Sequence, residues 1–243
     1  METLEKTTIG EYVAKDFRTA AVFSKHGIDF CCKGNKTIEE VCDQKKLNQT
    51  NLLDELNTVL NSKNDSAIDF NSWPLDLLVD YIEKTHHRYV EEKTTILLPF
   101  LDKLCKVHGN THPELFQINE LFKGCAGELA QHMKKEELIL FPFIKKLVRA
   151  TISNDAVEQP HFGTIENPIA MMMDEHDTEG ERFRKIAELS HNYTPPADAC
   201  NTYKVTFAML KEFEEDLHKH IHLENNILFP KATKLEKYFS EQL

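Results

Sequence analysis

Residues 132–142 read HMKKEELILFP, and residues 218–230 read HKHIHLENNILFP. Each contains a histidine, a glutamate four positions later, and then Ile-Leu-Phe-Pro. The members are His132, Glu136 and Ile139–Pro142 in one copy, His220, Glu224 and Ile227–Pro230 in the other. A single H-x-x-x-E is ordinarily a surface pair on one helix face. Two copies with identical offsets raise the question of which face they occupy.

Periodicity places both copies on an apolar seam. Alternating steps of three and four residues along one predicted helix meet Leu115, Ile118, Phe122, Cys125, Leu129, His132, Glu136, Ile139 and Phe143. The same walk along another meets Leu210, Phe213, Leu217, His220, Glu224 and Ile227. Only the His–Glu pairs interrupt the apolar series, and a seam of this period faces a helical core. On a third helix, Ile169, Met172, His176, Glu179, Phe183 and Ile186 put His176 on the inward stripe. His218 and His222 fall off the seam and are expected to be solvated.

A buried carboxylate is costly unless it is paired, hydrogen-bonded or bound to a metal. Two helices facing each other with these pairs supply two imidazoles and two carboxylates. His176 and a histidine of the first helix complete a set of four histidines and two glutamates. That exceeds the needs of one tetrahedral zinc. It suits two carboxylate-bridged metals inside a helix bundle, with imidazole favouring iron over magnesium or manganese. The first helix offers two adjacent candidates in THHRYVEE. Helical phase favours His86, which aligns with Val79, Ile82, Tyr89 and Leu97, while His87 has Glu91 four residues on.

The wider chain fits an all-α fold. Its 243 residues include only 8 Gly and 9 Pro, so strand punctuation is sparse. Four long helices are predicted at about 74–105, 112–149, 166–193 and 197–238, an antiparallel bundle. Ahead of it, residues 1–62 form a small helical unit. Its first helix starts at the capping box Thr8–Glu11 and stops at Gly27, a second starts at the box beginning with Thr37, and a third carries Leu52, Leu53, Leu56 and Leu60. Residues 63–72 read as a polar linker, and 73–243 as the bundle. A net charge of -11 argues against nucleic acid. No apolar run is long enough for a membrane span, and the N-terminus lacks a signal peptide's apolar stretch. The expected setting is cytoplasmic, with a homodimer admitted as an assembly.

Six cysteines in a chain of this size do not require a disulfide framework. Cys42, Cys105, Cys125 and Cys200 read as structural. Cys31 and Cys32 are adjacent and poorly placed for a relaxed disulfide with each other. Near His26 and Lys33 their thiol pKa values would fall; as buried small hydrophobes they would be inert.

Several motifs together resemble a known family. HGIDFCCKG (His26–Gly34), the H-x-x-x-E-E segment, EHD (Glu175–Asp177), TPP (Thr194–Pro196) and HIHLENNILFP resemble the Repair of Iron Centers proteins, or di-iron iron–sulfur cluster repair proteins. In that family a short N-terminal domain precedes a hemerythrin-like bundle. The resemblance implies a metal set of His87, His132, Glu136, His176, His220 and Glu224. His87 is taken over His86 because the spacing to WPL, LLPF and KVHG matches on both sides. It further implies two iron ions bridged by Glu136 and Glu224, and repair of clusters damaged by oxidative or nitrosative stress, with iron supplied by the protein. Damaged iron–sulfur proteins or cluster-assembly proteins are the implied partners, and Cys31 and Cys32 the implied redox or iron-relay thiols. A di-iron nitric oxide reductase, or a sensor binding oxygen or nitric oxide, is the alternative.

Overall fold

Thr8 opens the first helix as a reciprocal cap. Its hydroxyl accepts from the Glu11 amide while the Glu11 carboxylate accepts from the Thr8 amide, an arrangement worth about 1 kcal/mol. The computed structural model describes residues 7–62, 68–153 and 155–240. Helices α1 (Ile9–Lys15), α2 (Ala20–Lys25), α3 (Ile38–Lys45) and α4 (Gln49–Asn61) build the N-terminal part. The single helix expected from Thr8 to Gly27 is broken at Asp16. There the backbone turns extended and the Asp16 carboxylate caps a short 3₁₀ turn, Phe17–Thr19, by accepting from the Arg18 amide. Gly27 still ends α2, with φ of 62°. The second capping box forms at Thr37 and Glu40.

Residues 63–67 of the predicted linker lie outside the described residues. The rest of that segment is structured: Phe70 is buried and packs on Trp73 and Tyr81.

The bundle comes next. Its first helix is α5 (Leu75–Tyr81), a π-turn (Ile82–His87) and α6 (Arg88–His108). The second is α7 (Glu114–Lys135), a π-turn (Glu136–Leu140) and α8 (Phe141–Ser153). The third is α9 (Glu166–Leu189), without interruption. The fourth is α10 (Asn201–Leu223), a π-turn (Glu224–Leu228) and α11 (Phe229–Ser240). Pro195 and Pro196 lie in the connection before the fourth helix.

Side-chain pairs fix an antiparallel order. Asp102 meets Asn119 and Glu91 meets Lys134 between the first two helices. Glu175 meets Lys135 and Glu128 meets Arg182 between the second and third. Phe183 stacks on Phe213, and His176 reaches Asn225, between the third and fourth. His86 and Lys93 reach Asp216 and Glu212 between the first and fourth. Among the described residues, no helix is long and apolar enough to cross a membrane.

The N-terminal part and the bundle share apolar packing. One continuous cluster runs from Ile9, Phe23 and Phe30 to Leu97, Phe122 and Phe213. At the join, the side-chain amide of Asn226 donates to the carbonyls of Phe30 and Cys31. The approach needs glycine: a Cβ at Gly10 would lie 2.2 Å from Asn226 Oδ1, and one at Gly34 would lie 2.7 Å from it.

Candidate metal centre

Each π-turn begins or ends on a candidate metal ligand, His87, Glu136 or Glu224. A π-turn inserts one residue into the helical count and rotates the remainder of the helix. The second helix shows the consequence: Ile139, expected on the seam, is 39% exposed, and Leu140 takes its place at 1%. In the first helix the π-turn brings both His86 and His87 inside, which resolves their competition for one inward position.

The structure brings together His87, His132, Glu136, His176, His220 and Glu224, every one buried. They lie between two apolar clusters, one ending at Ile221 and the other starting at Leu223 on the fourth helix. Two compact groups emerge: His87, Glu136, His220 and Glu224, and His132, Glu136, His176 and Glu224. Both glutamates belong to both groups. Glu136 Oε2 is 3.4 Å from Nε2 of His87 and 3.4 Å from Nε2 of His132. Glu224 stands 3.1 Å from Nε2 of His176 and 3.0 Å from Nε2 of His220.

Outer partners orient three of the imidazoles. His87 Nδ1 donates to Glu137 Oε1 at 3.1 Å, His132 Nδ1 to Glu175 Oε2 at 2.8 Å, and His176 Nδ1 to Asn225 Oδ1 at 2.8 Å. These bonds place the protonated nitrogen outside and turn Nε2 inward, the usual arrangement of metal-binding histidines. Glu175 also accepts from Lys135. Hydrogen bonding from His132, against partial burial and helped by Lys135, holds the Glu175 carboxyl down at about 2. Periodicity alone gives no signal for Glu137, Glu175 and Asn225. Each directly succeeds or precedes a pattern residue, on a flank that the seam does not mark.

The set fits a cation. Both carboxylate oxygens of Glu136, Oε2 of Glu224, Nε2 of His87 and Nδ1 of His220 are buried without a hydrogen-bond partner. An unsatisfied buried polar group costs about 1–3 kcal/mol, and more when charged. Burial opposes charge on His132, yet Glu136 and then Glu175 outweigh it and raise the imidazole to about 10. Burial likewise works against the Glu224 anion, but His220 and His176 keep its pKa well below the ordinary value. The carboxylates therefore require positive charge from protons or metal. Mixed carboxylate and imidazole donors suit iron.

Other predicted roles change in the structure. His222 is not solvated: it is buried against Phe17 and Phe30, bonds to Asn226 at 3.1 Å, and is driven by burial down to about 3. His218 is half-buried and meets the Phe30 ring. The seam of the fourth helix could not show this, because the N-terminal part covers a second face of that helix. Glu179, one turn beyond His176, points to Arg182 at 2.6 Å and away from both groups. Cys200 is exposed, with its sulfur 3.2 Å from His108 Nε2.

Cys31 and Cys32 are free thiols with their sulfurs 3.7 Å apart. Asp29 gathers them: its Oδ1 accepts from the amides of both, and Oδ2 accepts from Arg184. Cys32 Sγ lies 3.5 Å from the backbone carbonyl of His176. The expected lowering of the thiol pKa is reversed at Cys31, where hydrogen bonding to Cys32, burial and the Asp29 charge push it up. The side chains expected to lower it pair elsewhere, His26 with Glu55 and Lys33 with Glu181.

Residues 78–232 match the family described as the Hemerythrin HHE cation binding domain, and residues 5–60 match one described as a domain of unknown function, DUF542. Among curated proteins, the chain is 32% identical to "Iron-sulfur cluster repair protein ScdA" of Staphylococcus haemolyticus, covering 93% of this chain and 97% of that one. It is 32% identical to "Iron-sulfur cluster repair protein YtfE" of Musicola paradisiaca, over 94% of this chain and 97% of the relative. The YtfE protein of Yersinia pseudotuberculosis is 33% identical over 90% of this chain and 93% of its own length.

Proposed function

The chain belongs to the hemerythrin-type family of iron–sulfur cluster repair proteins, and from that membership we propose that it repairs damaged iron–sulfur clusters by supplying iron from a two-iron centre. The observation that carries the reading is the sharing of Glu136 and Glu224 between two four-residue groups. Two groups with common carboxylates suit two metals held side by side better than one.

In this reading His87 and His220 serve one iron and His132 and His176 the other, with the glutamates between them. Iron is the cargo, and when bound it supplies the metal that a broken cluster lacks. The protein's own residues hold and orient. Glu137, Glu175 and Asn225 fix three imidazoles, and the apolar clusters on either side keep bulk water out. Residues 73–243 are the metal-holding part, 1–62 the thiol-bearing part, and 63–72 the connection. In this reading Cys31 and Cys32 relay iron or electrons, or meet a recipient, which the contact of Cys32 with the helix of His176 supports. The recipients are damaged iron–sulfur proteins or the proteins that assemble clusters.

The test is reactivation of a nitric-oxide-damaged iron–sulfur enzyme by iron-loaded protein, with nitric oxide turnover measured in parallel. Reactivation accompanied by stoichiometric loss of iron from the protein supports the reading. Rapid turnover of nitric oxide with no reactivation favours a reductase instead.

A further inference from the structure

A cleft of about 860 Å³ opens where the N-terminal part meets the fourth bundle helix. Three lysines line it: Lys15 at the end of α1, and Lys231 and Lys234 on α11. None is in a salt bridge among the described residues. Lys231 donates to the backbone carbonyl of Asn71, and burial, with the charge of Lys234, lowers its pKa against the opposing charge of Asp69. This positive grouping stands out in a chain of net charge -11. Two carboxylates stand near the three lysines and leave the grouping positive. Glu11, which also lines the cleft, caps α1 through the Thr8 amide, and Asp69 accepts from the Ser72 amide. Asn71, Asn225 and Asn226 also line it, the amides of the last two donating to the Cys31 carbonyl.

We propose that this cleft binds a small polyanion bearing carboxylate or phosphoryl oxygens. Ammonium groups are donors that such oxygens take up. Lysine acts as a point charge and does not require the planar fork of an arginine. An apolar occupant would strand the three cations, and a metal ion would be repelled by them. The cleft also adjoins the metal centre through one side chain: Asn225, on its wall, holds His176 Nδ1 at 2.8 Å. A bound anion therefore sits one residue from a candidate ligand, at the join that also carries Asn226 and the Cys31 carbonyl.

The experiment is calorimetric titration of the full-length protein, with its metal in place, in low-salt buffer. The probes are succinate and inorganic phosphate, which separate the carboxylate source from the phosphoryl one, with glycerol as the neutral control. Metal content is measured in the same preparations, so failure of the metal reading is visible separately. The expected result is saturable binding of at least one anion, about one per chain, absent for glycerol. Lys231→Met/Lys234→Met should weaken it tenfold or more and leave metal content unchanged. Added chloride should weaken it too, because exposed charges are screened. Absence of saturable binding by both anions overturns the proposal, as does binding that survives the double substitution undiminished.

Discussion

His86 and His87 are consecutive on one π-turn, yet their rings serve different partners. His86 Nδ1 donates to Asp216 Oδ1 at 2.9 Å, whereas His87 Nε2 faces Glu136 Oε2 at 3.4 Å. His87→Ala should therefore lose iron. His86→Ala should keep most of it while losing about 1–3 kcal/mol of stability, because Asp216 is left without its partner. Iron per chain and the thermal midpoint, read on both variants, check this. The reverse pattern would make His86 the ligand.

Glu224 belongs to both four-residue groups, so in a two-iron centre its removal should disturb both metals at once. Glu224→Ala is expected to release the pair or abolish their magnetic coupling. Mössbauer spectra showing two coupled irons in that variant would rule out a bridging role.

Helical phase alone makes His222 dispensable, and its burial against Phe17 and Phe30 changes that expectation. His222→Ala should cost about 2–4 kcal/mol, as for other large buried side chains cut to alanine. Iron content should stay near normal, since His222 belongs to neither group. Denaturant unfolding and metal analysis of the same sample separate the two effects.

Much of this site is legible in the sequence because its residues break an apolar seam. A glutamate at Glu136 or Glu224 cannot be buried in a seam without a reason, and the pattern repeats. The hidden features have physical causes. A π-turn leaves no mark in a 3.6-residue count, so the seam puts Ile139 inside where Leu140 belongs, and phase prefers His86. Burial that comes from another part of the chain is equally invisible to one helix's periodicity, as His222 under Phe30 shows. The break at Asp16 is hard to read because its signal is one carboxylate turned onto the Arg18 amide, within an otherwise helical stretch.

Cys31 and Cys32 lie against the His176 helix without belonging to either His–Glu group. Cys31→Ala/Cys32→Ala should retain iron but reactivate a damaged iron–sulfur enzyme poorly. Undiminished reactivation would reduce the thiols to a packing role.

Cys200 offers a pH-dependent readout at the other end of the bundle. Hydrogen bonding from the Tyr203 amide, then from His108, lowers its thiol to about 7. The thiolate is present above that pH and lost as pH falls through it. Iodoacetamide should modify Cys200 with a rate that inflects near pH 7, and His108→Ala should move the inflection up towards the ordinary thiol value of about 8.5. An inflection already at the ordinary value in the unaltered protein would contradict the His108 contact.

Elemental analysis of freshly isolated protein, made in iron-replete cells, tests the two-iron centre most directly. Six buried donors in two groups with shared glutamates lead to an expected content of two irons per chain. Stoichiometric zinc without iron, or a single iron that cannot be raised by reconstitution, would contradict the two-iron centre and the iron-supplying function built on it.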